Sequence, residues 1–250
     1  MSDVDLSASV GGVILPFCVM NAVGTAITAG ELRGLVRSRT GALVLRTTTV
    51  HPFVHPEFRS LHNPGFDKLM PLVRELTAED DRPVIASIAG STVEELVQLA
   101  RAFNAAGAAA VEVQLAEPWV DATLAPLEGP EQLTHFATTL VGASDIPVWI
   151  RLPDRPLRYD LVGPLLAEAG VGAIVVRNEF TEFEKLRLAI GAAVDLVATG
   201  PFPSGYEVGR TLAKGAVAVQ IGPALGSEGM AIFTRLEREL RIARGGRADG

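Results

Sequence analysis

Past residue 40 the chain alternates between short runs of apolar, often β-branched residues and longer stretches in which apolar residues return every three or four positions. The first pattern predicts strands buried on both faces, and the second predicts amphipathic helices. Gly, Pro or Asp marks the joints between them. Eight strands are predicted: PFCVM (16–20), GALVLRT (41–47), PVIASIAG (83–90), AAAVEVQL (108–115), IPVWIRL (146–152), GAIVVRN (172–178), DLVATG (195–200) and AVAVQIG (216–222). Strands separated by helices imply βα units on a parallel sheet, and eight of them imply an α/β fold of the closed (β/α)8, or TIM, barrel type. A helix is predicted in TVEELVQLARAF, where Thr92 and Glu95 have capping-box spacing and Gly107 follows as a stop. No low-complexity linker divides the chain. Residues 1–245 therefore read as one barrel domain, with 246–250 as a loose C-terminal tail.

Composition narrows what such a barrel could do. Across 250 residues, 48% are apolar and the formal net charge is −7, with no Lys/Arg run. That balance argues against a nucleic-acid partner, which needs a basic surface to displace phosphate counterions. A small-molecule ligand is the expectation. The single cysteine, Cys18, excludes an internal disulfide and any cysteine-built metal site, and it lies within a strand, as a packing residue would. The polar, acidic start MSDVDLS is unlike a signal peptide, and no apolar run reaches membrane-spanning length, so a cytoplasmic protein is expected.

Barrels of this kind fill their interior with side chains and carry their chemistry at the carboxyl ends of the strands. Glu117 stands there, just beyond the fourth predicted strand and directly before Pro118. A carboxylate in that place either meets a bound ligand or steadies its own loop. Three of the four histidines fall in HPFVHPEFRSLH, where Pro52 and Pro56 break the helical face that His51 and His55 would otherwise share. No metal site is expected from them. His135 lies in a predicted outer helix.

Four stretches in chain order, VMNAVGT (19–25), IASIAGSTVEELVQLARAF (85–103), VEVQLAEP (111–118) and GAVAVQIGPAL (215–225), resemble the dihydroorotate dehydrogenases, FMN-dependent barrels of pyrimidine biosynthesis. LHNPGFD (61–67), VWIRLP (148–153) and AIVVRN (173–178) extend the resemblance over nearly the whole chain. It implies that Ala22, Val23 and Gly24 lie along the flavin, as do Thr47, Ser87 and Gln114. Arg46 and Arg151 occupy positions at which the family carries lysines near the ring, and Arg46 is therefore a candidate for a catalytic role. Both keep the positive charge, and a general preference for arginine in this chain is the alternative account of part of the change. Gly200 and Gly222 match the turns that hold the flavin phosphate. Glu117 takes the place of the family's Cys or Ser base, and Asn63, Asn178 and Trp119 fall at positions facing the substrate; Trp119 could equally close the barrel mouth.

Departures from the family pattern concentrate at two places. Family asparagines that grip the substrate are replaced by Gln114, Trp119 and Glu57, which speaks against dihydroorotate itself. Pro201 and Pro223 each remove an amide donor from a phosphate turn. The resemblance thus implies an FMN-dependent oxidoreductase acting on CH–CH bonds of a small, pyrimidine-like substrate. The alternatives are a flavin-free barrel serving as a binding or structural subunit, and a flavin-independent lyase or isomerase. A homodimer or a partner dehydrogenase subunit is the expected assembly.

Overall fold

The computed structural model describes residues 4–54, 62–115, 129–154, 158–178 and 183–245. It opens with an antiparallel hairpin, β1 (Ala8–Val10) and β2 (Val13–Leu15). The eight predicted strands follow as β3 (Val19–Asn21), β4 (Leu43–Val44), β5 (Val84–Ile88), β6 (Ala110–Gln114), β7 (Val148–Arg151), β8 (Ala173–Arg177), β9 (Asp195–Gly200) and β10 (Ala218–Ile221). They form one eight-stranded sheet in the order β3-β10-β9-β8-β7-β6-β5-β4, parallel throughout. Helices α1 (Ala29–Val36), α2 (Phe66–Glu79), α3 (Val93–Ala105), α4 (Pro130–Ala143), α5 (Tyr159–Glu168), α6 (Phe183–Ile190) and α7 (Gly205–Ala213) connect successive strands, and α8 (Pro223–Glu228) and α9 (Ala231–Ala243) end the described chain. The architecture is the (β/α)8 barrel that the alternation predicts. Every residue of β5, β6 and β10 is buried, which is why these strands are mostly apolar, broken only by Ser87, Glu112, Gln114 and Gln220.

No ladder joins β3 to β4, the two ends of the sheet; a side chain joins them instead. Asn21 Oδ1 accepts from the Val44 amide at 2.9 Å, and Asn21 Nδ2 donates to the Val44 carbonyl at 2.7 Å. Gly41 N donates to the Val19 carbonyl at 2.8 Å just below. Backbones come so close there that a Cβ on Gly41 would lie 1.7 Å from the Phe17 carbonyl oxygen, which leaves glycine as the residue that fits.

The hairpin was not among the predicted elements, because three-residue strands around Gly11 and Gly12 are too short to show a period. It packs at the amino ends of the barrel strands. Gly11 N donates to Asp195 Oδ2, at the start of β9, at 2.7 Å, and Cys18 N donates to the Leu6 carbonyl at 2.8 Å. Thr92 caps α3 by accepting from Glu95 N at 3.3 Å, but the Glu95 carboxylate reaches back to Ser91 N rather than to Thr92. The full capping box belongs to Thr28 and Glu31 at α1. Among the described residues no helix is long and apolar enough to cross a membrane.

Candidate active site at the carboxyl rim

The interior of this barrel is unusually polar near its carboxyl end. β6 carries Glu112 and Gln114 two residues apart, so both project from the same face of the strand. Gln114 Nε2 donates to Glu112 Oε1 at 2.9 Å and to Ser87 Oγ on β5 at 3.0 Å. Ser87 Oγ lies 3.1 Å from Thr47 Oγ1, beyond β4. From the far side of the barrel, Gln220 Nε2 on β10 donates to Glu112 Oε2 at 2.5 Å. A hydrogen-bonded chain therefore crosses the barrel from Thr47 to Gln220. Glu112 is fully buried, and burial raises its pKa above the ordinary carboxylate value; the charge of Arg151 and the Gln220 and Gln114 amides pull the other way.

Directly above this chain lies a cavity of about 360 Å³, a size within the range of small-molecule sites. Strand ends from around the barrel contribute to it: Ala22 and Val23 after β3, Gln114 on β6, Arg151 on β7, Arg177 on β8, Thr199 and Gly200 on β9, and Gly222 after β10. Arg151 forms no ion pair among the described residues, whereas Arg177 donates to Asp154 Oδ2 at 2.8 Å. The cavity thus presents to its contents a guanidinium with no ion-pair partner among the described residues. Pro201 and Pro223 line the wall on the β9 and β10 side.

The positions expected to follow the flavin divide into three groups. Ala22, Val23, Gln114, Arg151, Gly200 and Gly222 meet in this cavity. Thr47 and Ser87 lie in the hydrogen-bonded chain beneath it, and Gly24 continues the turn after Val23 with φ +78°. Arg46 is half-buried; its Nε is buried without a hydrogen-bond partner among the described residues, and burial lowers its pKa. Of the substrate-facing positions, Asn63 is buried and accepts from Thr49 Oγ1 at 3.1 Å and Gly65 N at 3.0 Å, so its carbonyl organises its own loop. Asn178 ends β8, with its amide donating to the Thr199 carbonyl at 2.8 Å and its side chain accepting from Thr211 Oγ1 at 3.5 Å. Neither asparagine lines the cavity. Glu117 and Trp119 lie outside the described residues, as do Glu57 and His55.

Sequence reasoning missed Glu112, Gln220 and Arg177. Glu112 and Gln114 had a signal, an even spacing of polar residues inside an otherwise apolar strand; Gln220 meets Glu112 only through barrel closure. Burial pushes the Cys18 thiol up to about 11, as suits a packed strand residue.

No family model matches the chain. Among curated proteins, dihydroorotate dehydrogenase A (fumarate) of Lactiplantibacillus plantarum is 32% identical over 216 residues, covering 78% of this chain and 67% of that one. The chain belongs to the dihydroorotate dehydrogenase family. The catalytic subunit of dihydroorotate dehydrogenase B (NAD(+)) from Anoxybacillus flavithermus is 26% identical over 175 residues, which span 64% of this chain but only 55% of that relative. A crystal structure of ligand-free DHODH from Eimeria tenella superimposes with a TM-score of 0.83 at 13% identity, covering 97% of this chain and 89% of that one, and so shares the fold.

Dihydroorotate dehydrogenases are FMN enzymes, and the residues present fit the two ends of that cofactor unequally. The ring end fits. The Arg151 guanidinium, without an ion-pair partner among the described residues, the Gln114 amide and the Ala22–Val23 turn converge there. The phosphate end does not fit, because both turns that should supply amides present proline to the cavity.

Proposed function

We propose that this chain is a flavin-dependent oxidoreductase of the dihydroorotate dehydrogenase type, which removes hydrogen from two adjacent carbons of a small, pyrimidine-like substrate. One observation carries this reading: Ala22, Val23, Gln114, Arg151, Gly200 and Gly222, scattered over two hundred residues of sequence, share one cavity at the rim where barrels do chemistry. A bound flavin would supply the hydride acceptor. The other hydrogen leaves as a proton, for which Glu117, three residues beyond Gln114, is the candidate base. A carboxylate serves as such a base once a dry setting lifts its pKa from about 4.3 toward neutrality.

The remaining roles follow from charge. Arg151 stabilises negative charge that develops in the cavity. Gln114 is held by Glu112 and Ser87, which fixes the direction of its carboxamide. With Gln114, Glu57 and Trp119 in place of asparagines, the substrate is one other than dihydroorotate or held differently from it.

Visible absorbance of the purified protein, after incubation with riboflavin and with FMN and removal of excess ligand, tests the reading. Stoichiometric yellow flavin supports it, and protein that stays colourless with both overturns it. With flavin bound, Glu117→Gln should keep the colour and slow substrate-driven bleaching; unchanged bleaching removes Glu117 from the base role. The two prolines in the cavity wall favour the rival reading of a flavin-free barrel that acts as a binding subunit, and the colourless outcome would select it.

A further inference from the structure

Barrels commonly hold a ligand phosphate at the turns after their seventh and eighth strands, where backbone amides and helix N-termini point at the anion. Here those turns follow β9 and β10, and several independent features close them to negative charge. Pro201 and Pro223 line the cavity and have no N–H to donate. Gly222 N donates to the Gly200 carbonyl at 3.2 Å and Leu225 N to the Gly222 carbonyl at 3.0 Å, so these amides serve the fold. At the N-terminus of α7, Gly205 N donates to Glu239 Oε2 at 2.7 Å. An internal carboxylate therefore takes up the Gly205 amide, which is not free for an anion.

That carboxylate is fixed. Arg235 Nη1 reaches both Glu239 oxygens, at 3.0 and 3.2 Å, while its other nitrogens bind Glu228. α9 is pressed against α7 so closely that a Cβ on Gly205 would lie 2.5 Å from Leu240 N. Arg235, the cation on this side, is already engaged by Glu239 and Glu228. Arg210, a basic residue near these turns in sequence, pairs with Glu207 at 3.0 Å and lines a different groove with Tyr206 and Arg244. The cations that line the cavity, Arg151 and Arg177, stand at the ends of β7 and β8.

We infer that this cavity selects a flavin whose side chain is uncharged, riboflavin, over its 5′-phosphate. The inference rests on the flavin reading above and changes the ligand that reading takes from its family. Parallel fluorescence-quenching titrations of the full-length protein with riboflavin and with FMN test it. Riboflavin should bind about tenfold more tightly or better, the cost to FMN of desolvating a phosphate oxygen that finds no donor. In the Pro223→Ala/Glu239→Gln variant, which returns an amide and removes a charge, FMN should gain about tenfold relative to riboflavin. Equal affinities, or a preference for FMN in the unmodified protein, overturn the inference and leave the flavin reading standing. Failure of both ligands to bind overturns the flavin reading, and the inference falls with it.

Discussion

The two sides of the barrel mouth differ in what they leave available to a ligand. Toward β5, β6 and β7, polar side chains project inward and are held by one another: Ser87, Gln114 and Glu112 are linked, and Arg151 stands over them without an ion-pair partner. Toward β9 and β10, Pro201 and Pro223 have no amide to donate, the Gly205 and Gly222 amides are committed, and Phe202 is buried with φ +35°, the one non-glycine residue at positive φ among those described. Holding a phenylalanine in that conformation costs of order 1–3 kcal/mol, which the packing around it must offset. A binding site can thus keep the half that faces a ring and rebuild the half that faces a phosphate. The two halves hang on different strands, so they can diverge separately.

Four measurements would break or sharpen this contrast. The largest effect is expected on the sealed side. Gly205→Ala forces a methyl group into the α9 backbone, and chemical denaturation should show a loss of about 3 kcal/mol. A loss under half that size would mean that α9 yields, and that the α7 terminus is less closed than its geometry indicates. On the polar side, Gln220→Leu removes a charge-assisted bond to Glu112 and should cost about 2 kcal/mol near neutral pH. In a double-mutant cycle with Glu112→Leu most of that cost should disappear; simple additivity would show that the chain across the barrel contributes nothing as a unit.

Acid–base behaviour separates the sides further. Burial raises the Glu112 pKa, so the folded protein holds that proton more tightly than the unfolded chain does. The stabilisation is complete below the unfolded value of about 4.5 and fades as pH rises through the higher folded value. Unfolding of the unmodified protein, compared with Glu112→Gln, should therefore show a relative loss of stability as pH climbs above about 4.5, worth about 1.4 kcal/mol for each unit by which the pKa is raised. A flat difference would place Glu112 in a wetter setting than its burial implies. The smallest effect is expected from Glu239→Gln, which keeps an oxygen for Gly205 N but weakens the bonds with Arg235, at about 1 kcal/mol.

Much of this molecule could be read in advance, and what could not has a physical reason. The barrel strands announced themselves because a parallel strand buried on both faces is apolar at successive positions, as AIVV in β8 is. Strand ends were less legible: the run 41–47 contains only Leu43–Val44 as ladder, paired with β5, while on the other side the Asn21 side chain stands in for pairing with β3. Polar groups inside the barrel obey no local pattern across strands. Gln220 and Glu112 are 108 residues apart, and only closure of the cylinder brings them together. The prolines of the phosphate turns were visible as letters, but Glu239 gave no such warning, because its importance comes from where α9 docks. The acid that stood out in sequence, Glu117, lies outside the described residues, while the acid that the fold buries lies five positions earlier.

Asn21 also gives the cylinder a parting line. Everywhere else neighbouring strands are laced by repeated main-chain bonds, but between β3 and β4 one carboxamide and the Gly41 bond hold the wall shut. Opening there breaks fewer main-chain bonds than parting other neighbouring strands, so breathing of the shell has its least costly start at this seam, beside the Ala22–Val23 turn.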